Sequence, residues 1–105
     1  MKLLNSELEA RLPRIGTTEG VDPDVLVRFF HPLSDWSWYP LEHCPEDRMF
    51  FGLVDGFETE FGYFSLDELE ELDVYGFGVE IDPHWTPKPL SELRTDLERN
   101  RGGGA

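Results

Sequence analysis

The chain has 105 residues, of which 39% are hydrophobic and 13% aromatic, and its formal net charge is −13. This length fits one domain, and the aromatic content argues against disorder because each buried aromatic ring removes about 150–250 Å² from water. The single cysteine, Cys44, excludes a scaffold held by internal disulfides.

The excess negative charge lies in the middle of the chain. Residues 42–80 contain twelve acidic residues and one basic residue, Arg48, whereas residues 81–105 contain four of each. Direct binding to nucleic acid or to an anionic membrane requires Lys and Arg, so this charge opposes both interactions. The chain shows neither the apolar run of a signal peptide nor the roughly 20 apolar residues of a membrane span. We therefore expect a cytoplasmic protein.

The first predicted element is a short helix over residues 6–12. Asn5 precedes it as a capping residue, acidic residues occupy its first turn, and Pro13 ends it. Apolar residues four positions apart predict its buried stripe. These residues are Leu4, Leu8 and Leu12.

Four strand candidates follow at short intervals, after a loop over residues 16–23. Asp55-Gly56 is a strong hairpin-turn signal between the third and fourth candidates. Connections this short favour antiparallel pairing, since a parallel crossover needs about a dozen residues or more. The four candidates are residues 25–31, 36–39, 49–54 and 57–64.

A second helix, one more strand and a third helix complete the prediction. Ser65 and Glu68 form a capping box at the start of the second helix. Residues 75–82 predict a strand, and residues 90–99 predict the last helix. The sequence therefore predicts an α+β fold, with three short helices packed on an antiparallel sheet of four to five strands. We expect one domain over residues 1–100 and a flexible Gly-rich tail over residues 101–105.

The acidic residues of the central segment follow the predicted elements. Glu58 and Glu60 share one face of the fourth strand, whereas Phe57, Phe61 and Tyr63 share the other. The second helix turns further acids outward, so an ordered row of carboxylates is one interpretation, and a solubilising surface is the other. The candidate partner-binding residues are Glu58, Glu60, Asp67, Glu68, Glu70 and Glu71.

No catalytic, metal or cofactor motif is present. His43 and Cys44 are adjacent, so on an extended chain their side chains point in opposite directions and do not converge on one metal. Clustered carboxylates could hold Mg²⁺ or Mn²⁺, but Arg48 alone is near to balance a substrate phosphate. Aromatic residues in short strands are more typical of a core than of a platform for bases. We assign Phe29, Phe30, Trp36, Trp38 and Tyr39 to the core, while one exposed Trp as an interface anchor stays open.

Several runs of the sequence resemble a family of small bacterial proteins catalogued as a domain of unknown function. The most specific are F-F-G-L-V-D-G at residues 50–56 and E-F-G-Y-F-S-L-D-E-L at residues 60–69, supported by residues 27–32, 36–39 and 87–93. The resemblance covers about residues 3–93 and excludes the 42–48 segment. It implies a setting, on plasmids and other mobile elements, and implies no activity and no functional residues.

We therefore expect a non-enzymatic binding module that needs no cofactor. Its partner would be a protein with a basic, nucleic-acid-handling surface, and a role as a DNA mimic against host defence would fit the setting. The alternative is an accessory enzyme that processes nucleic acid with Mg²⁺ or Mn²⁺ held by clustered carboxylates. A third interpretation is an interaction domain that binds through exposed aromatic residues.

Overall fold

The computed structural model describes residues 2–103, which form three helices and nine strands. In chain order they are α1 (Ser6–Arg11), β1 (Asp24–Val25), β2 (Phe29–Phe30), β3 (Ser37–Cys44), β4 (Met49–Asp55), β5 (Thr59–Ser65), α2 (Leu66–Glu71), β6 (Asp73–Val74), β7 (Phe77–Gly78), β8 (Glu80–Ile81), β9 (Lys88–Pro89) and α3 (Leu90–Gly103).

The centre of the fold is a five-stranded antiparallel sheet with the order β5-β4-β3-β2-β8. Strands β2 to β5 form a meander, as their short connections predict. Two further strand pairs, β1 with β9 and β6 with β7, lie outside this sheet. The predicted α+β class, the antiparallel sheet and the three helices are confirmed.

The predicted strand over residues 25–31 is wrong as a single element. Val25 pairs with Lys88 in the small β1–β9 ladder, whereas Phe29 pairs with Trp38 and Ile81 in the central sheet. The chain changes sheets between these two residues. Their β-branched and aromatic side chains favour extended backbone, but tertiary packing decides which partner an extended segment takes.

Strand β3 is longer than predicted. It continues past Tyr39 to Cys44, and its register with β4 shifts between Pro40 and Glu42. A proline cannot donate to the strand ladder, and a bulge is one of the places in a sheet that tolerates it. The predicted strand stops at Tyr39, and the irregularity beside Pro40 explains why the strand continues past it.

The predicted strand over residues 75–82 is also divided. The structure has β6 and β7 as a tight hairpin, followed by β8, which joins the central sheet. Gly76 has φ +83° and allows the turn between β6 and β7. The sequence signal for strand was therefore real, but it belonged to three short strands rather than one.

Helices pack on both faces of the central sheet, so the core has two layers. On one face Phe29, Phe50 and Phe64 pack against α1, α2 and the N-terminal leucines; the buried members of this cluster also include Leu3, Leu4, Leu12, Leu66 and Leu69. On the other face α3 packs, and Val25, Tyr39, Leu41, Leu53 and Leu93 are buried together. Leu4 and Leu12 of the predicted α1 stripe are buried, and Leu8 is partly buried.

Asn5 and Ser65 cap α1 and α2 as predicted, which confirms the Ser65 half of the predicted capping box. The Asn5 side chain accepts a hydrogen bond from Leu8 N at 2.7 Å, and Ser65 Oγ accepts one from Glu68 N at 3.2 Å. At the start of α3, Asp22 accepts hydrogen bonds from Ser91 N and Ser91 Oγ. The backbone of α3 continues to Gly103, so part of the segment expected to be a tail is helical, and Gly104 and Ala105 lie outside the described residues.

The predicted core aromatic residues are divided between buried and half-buried positions. Phe29 and Tyr39 are buried, and Trp38 packs against the first cluster. Phe30 and Trp36 are half-buried. Among residues 2–103, no helix is both long and apolar enough to cross a membrane.

Two glycines face each other in the β4–β5 ladder and allow a matched test of the sheet. A Cβ at Gly52 would lie 2.1 Å from the carbonyl oxygen of Tyr39, whereas a Cβ at Gly62 would meet no atom within 4 Å. We expect Gly52→Ala to lower the free energy of unfolding by about 1–3 kcal/mol or more, because the backbone atoms of β3 and β4 cannot separate freely. Gly62→Ala should change it by less than about 1 kcal/mol. Urea denaturation of both variants measures the difference, and equal losses would contradict the proposed clash.

Candidate functional site

The predicted partner-binding residues do not form one group. Asp67, Glu68, Glu70 and Glu71 lie together on α2, after the end of β5, whereas Glu60 lies near the start of that strand and Glu58 precedes it. Five residues separate Glu60 from Ser65, which corresponds to about 17 Å along a strand. The expected row of carboxylates is therefore two separate acidic groups, and each must be considered by itself.

Arg48 organises the acidic group on α2. Its backbone has φ +52°, and its guanidinium pairs with Asp67 (Nε to Oδ1, 2.7 Å) and with Glu70 (3.3 Å). The other oxygen of Glu70 accepts a hydrogen bond from Leu3 N at 2.9 Å. Asp67 and Glu70 thus join α2 to the β3–β4 turn and to the N-terminal segment. These two carboxylates are already partnered within the chain.

Glu68 and Glu71 point away from this network. Leu66 and Leu69 are buried on the inner side of α2, so helical spacing turns both glutamates outward. Both are exposed, and neither forms an ion pair within the part of the chain that the structure describes. Of the six predicted residues, these two and the pair near β5 retain a carboxylate that a partner could contact.

The β6–β7 hairpin extends directly from α2 and exposes apolar side chains. Tyr75 is 92% exposed, and Phe77, Val74 and Leu72 are 48%, 40% and 39% exposed. Asp73 precedes the turn and accepts a hydrogen bond from Gly76 N at 2.8 Å. We call the exposed residues of this region the hairpin surface: Asp67, Glu68, Glu71, Leu72, Asp73, Val74, Tyr75 and Phe77.

Tyr75 occupies a conformation that side chains rarely adopt. Its φ is +54°, and Gly76 after it has φ +83°, which is the pattern of a two-residue hairpin turn with both central residues left-handed. Asn, Asp and Gly are the residues that suit such positions, and a bulky residue there is an outlier. A nearly fully exposed aromatic ring is thus held at a backbone position that disfavours it.

A buried histidine fixes the base of the hairpin. His31 Nε2 lies 3.0 Å from the carbonyl oxygen of Phe77, and its Nδ1 accepts a hydrogen bond from Leu33 N at 3.2 Å. Because Nδ1 accepts, the ring is the tautomer that carries its proton on Nε2 and donates it to Phe77. This contact ties β7 to the end of β2, and it keeps the hairpin in a defined position on the domain.

A second group of exposed aromatic residues lies on the α3 side of the sheet. Phe61 and Tyr63 of β5 are 44% and 64% exposed, and their rings lie 6.1 Å and 5.0 Å from the ring of Phe51. The Arg94 guanidinium lies 5.2 Å from the centre of the Phe61 ring. These residues line a groove of about 530 Å³ between α3 and the loop that follows α1.

Within β5 the alternation is as predicted, with Phe61 and Tyr63 on one face and Glu60 on the other, but Phe57 and Glu58 precede the strand, and Glu58 lies with Phe61 and Arg94 instead. Phe61 and Tyr63 are exposed, whereas Phe64, on the face that carries Glu60, is buried against Phe50. The alternation of a strand shows which residues share a face, but it does not show which face is covered. The alternation of side chains along β5 could therefore not have identified Phe61 and Tyr63 as surface residues. Tyr75 and Phe77 were missed because the sequence suggested one uninterrupted strand there.

The His43–Cys44 pair has no shared chemistry in the structure. His43 is buried and stacks on Phe50 at 4.9 Å, and its burial lowers its pKa more than Glu9 and Glu46 raise it. The backbone N–H of Asp47 lowers the pKa of Cys44, but burial and the carboxylates of Glu46 and Asp47 raise it overall. At neutral pH His43 is therefore uncharged and the thiol is protonated, which does not activate a nucleophile.

No metal centre is apparent in the described part of the chain. Among residues 2–103, no group of three or more His, Cys, Asp or Glu side chains is placed to hold a metal ion. The carboxylates of α2 instead face Arg48 or solvent. The accessory-enzyme alternative therefore lacks a candidate metal site within these residues.

Comparison with known families decides the classification. A family model described as "Protein of unknown function (DUF2958)" matches residues 2–102. The chain belongs to this family. No curated protein and no solved structure matches the chain. The DUF2958 match spans both acidic groups, the hairpin surface and the aromatic groove, and it assigns no activity to any of them.

Glu42 is a buried acid with a structural role in this DUF2958 chain. Its contribution to stability can be tested by varying the pH. Burial alone would raise its pKa, but hydrogen bonds from the Thr18 hydroxyl and from the backbone N–H groups of Gly16 and Thr18 lower it below the usual value of 4.5. A lowered pKa in the folded state means that the ionised form stabilises the fold above pH 4.5, and that this contribution is lost as pH falls through the folded pKa.

We expect Glu42→Gln to lower the free energy of unfolding at pH 7 by about 1.5–3 kcal/mol, because three donors lose a charged acceptor. The difference in free energy of unfolding between this variant and the unchanged chain should become smaller below pH 4.5. Denaturant titrations at several pH values measure it. Glu58→Gln, at an exposed position, is the control and should show no such gap. A pH-independent gap for Glu42→Gln would contradict the role of the ionised carboxylate.

Proposed function

We propose that this protein is a non-enzymatic binding module that engages a basic partner protein through the hairpin surface. The observation that carries this proposal is Tyr75, a 92% exposed aromatic ring at φ +54°. A left-handed backbone costs a non-glycine residue about 1–2 kcal/mol, and the exposed ring gains little from the rest of the chain in return. Tyrosine and tryptophan are the residues most often found as anchors of protein interfaces.

The surroundings of Tyr75 support a protein partner rather than a small ligand. Leu72, Val74 and Phe77 add exposed apolar surface beside it, on a projecting hairpin rather than in a cavity. Small ligands are usually held in concave sites that cover most of their surface. An apolar centre with a polar rim is instead the usual anatomy of a protein interface.

The rim of the hairpin surface supports a basic partner. Asp67, Glu68, Glu71 and Asp73 are exposed around the apolar residues, and Arg48 contacts only the first of them. A negative rim speeds association with a positive surface and disfavours other partners. The net charge of −13 extends the same preference to longer range.

The class of partner follows from the kind of protein that carries a densely basic surface. DNA carries one charge per about 1.7 Å of its axis, so proteins that bind it present dense basic surfaces. We infer that the partner is a basic protein that handles nucleic acid in the cytoplasm. The sequence resemblance adds a finer proposal, in which the protein serves a mobile element and acts on host defence as a DNA mimic.

A substitution at Tyr75 separates function from stability. We expect Tyr75→Asn to leave the free energy of unfolding unchanged or to raise it by up to about 1 kcal/mol, because asparagine tolerates the left-handed region better. The same variant should lose partner binding. Thermal melting and a binding titration measure the two effects. A clear loss of stability would show that the ring serves the fold, and retained binding would remove Tyr75 from the interface.

The acidic rim is tested by neutralising two of its members. We expect Glu68→Gln/Glu71→Gln to weaken binding to the partner by about tenfold at low salt. The control is Glu92→Gln/Glu98→Gln, which removes the same charge from exposed positions on α3. The partner is first isolated from a lysate of the source organism on the immobilised protein, and duplex DNA in excess should release it. Equal losses in both variants would indicate attraction by net charge alone.

Failure of the DNA competition would leave a basic partner but remove its nucleic-acid-handling character. If no recovered partner binds the Tyr75 and rim variants more weakly than the unchanged chain, the proposed surface is overturned. Binding that does not decline as salt rises would contradict an electrostatic rim, since salt screens exposed charges.

A further inference from the structure

Strand β5 forms one edge of the central sheet, and its outer side is open. It pairs with β4 over seven residues, from Met49 with Ser65 to Asp55 with Thr59, without a shift of register. Among residues 2–103, no backbone hydrogen bond from another element reaches its outer side. An edge strand of this kind presents a row of unpaired N–H and C=O groups to any extended chain that approaches.

Apart from the charge of Glu60, the features that usually protect such an edge are missing from β5. Its sequence, Thr-Glu-Phe-Gly-Tyr-Phe-Ser, contains no proline, lysine or arginine, and its pairing with β4 contains no bulge. Proteins commonly block exposed edges with these devices. The opposite edge, β8, is two residues long and offers little backbone for pairing.

The two faces beside this edge differ in chemistry. On the α3 side, the exposed rings of Phe61 and Tyr63 border the aromatic groove. On the opposite side lie the exposed carboxylate of Glu60 and Gly62, where a Cβ would meet no atom within 4 Å. Glu58, also exposed, precedes the strand and borders a pocket with Phe61 and Arg94 on the α3 side. The strand therefore presents aromatic rings along one face, and Glu60 with free space along the other.

We propose that β5 accepts an extended segment of another protein as a sixth strand of the sheet, and that this segment alternates basic and apolar residues. Successive side chains of a strand point to opposite faces, so alternate residues would lie beside Phe61 and Tyr63 or beside Glu60 and Gly62. Backbone hydrogen bonds would supply the attachment, and the alternation would supply the specificity. The free space over Gly62 leaves room for a long Lys or Arg side chain.

A second copy of this chain is a poorer occupant of the same edge. Each copy carries a net charge of −13, and pairing of two β5 strands would add the Glu58 and Glu60 of both copies to one edge. Like charges on neighbouring strands destabilise their pairing. This charge selects a basic partner. The edge contains none of the hairpin-surface residues, so the inference does not depend on the proposed function.

A defined peptide tests the edge directly. The probe is a peptide of about ten residues in which Lys and Val alternate, and its controls are a scrambled peptide of the same composition and the alternating peptide with alternate backbone amides N-methylated. Binding is measured by calorimetry, and hydrogen exchange of the β5 amides is measured with and without peptide. We expect the alternating peptide to bind and to slow exchange in β5, and we expect both control peptides to bind at least about tenfold more weakly.

Charge reversal on the chain provides the matched variant. Glu58→Lys/Glu60→Lys should weaken binding of the Lys–Val peptide by about tenfold or more and should allow binding of a Glu–Val peptide. The control, Glu7→Lys/Glu92→Lys, changes the net charge equally at exposed positions on α1 and α3 and should retain more of the binding. Circular dichroism and thermal melting confirm that both variants fold.

Four results would overturn the inference. They are no binding at millimolar peptide, equal binding of the N-methylated or scrambled peptide, protection of amides outside β5 without protection in it, and self-association of the chain through β5. Loss of hairpin-surface binding in the Tyr75 variant would leave this test unaffected, so the two proposals fail separately.

Discussion

The arrangement of the acidic surface depends on one residue, Arg48. Its carbonyl oxygen accepts a hydrogen bond from Leu66 N at 2.9 Å, and its side chain reaches Asp67 and Glu70 of the same helix. Exposed ion pairs contribute little to stability, so their effect here is chiefly geometric. The backbone of Arg48 is left-handed, which turns the chain sharply between β3 and β4 and brings the residue to the start of α2. Arg48 thus anchors the start of α2, and the His31–Phe77 contact holds the hairpin after it.

A single arginine within a segment of twelve acids also divides those acids by role. Asp67 and Glu70 form ion pairs with Arg48, and Glu42 accepts hydrogen bonds from the loop over residues 16–18. The exposed acids without an ion pair among the described residues include Glu58 and Glu60 at the start of β5, and Glu68, Glu71 and Asp73 on and after α2. Net charge by itself therefore overstates how much of the surface is free to attract a partner. The distribution of paired and unpaired carboxylates is the more informative quantity.

Local signals in the sequence predicted the helices and the order of the sheet well. Asn5 and Ser65 cap helices as expected, and the apolar run of residues 49–54 lies in β4, with neighbours on both sides. These features depend on residues close together in the chain, and so they can be read from a short window. The Asp55-Gly56 turn was placed correctly, but Thr59 rather than Phe57 begins β5, because Asp55 pairs with Thr59 across a three-residue loop.

Long-range packing explains what the sequence could not predict. Residues 25–31 join two sheets because Lys88 and Ile81, far away in the chain, are their partners. The exposed face of β5 follows from where α1, α2 and α3 pack, and not from the strand itself. The two acidic groups were expected to be one because their residues are close in sequence. Elements that are adjacent in sequence need not present their polar faces at one place. Sequence analysis therefore identified the acidic residues but not their grouping.

The unequal edges of the central sheet have a consequence for assembly. Strand β5 offers seven residues to an added strand, whereas β8 offers two. Head-to-tail growth requires complementary contacts at both ends of each unit, and it produces filaments when the contacts do not close into a ring. A sheet with one usable edge ends after a single addition. A strand added to β5, as proposed above, would therefore not make this protein a template for polymerisation.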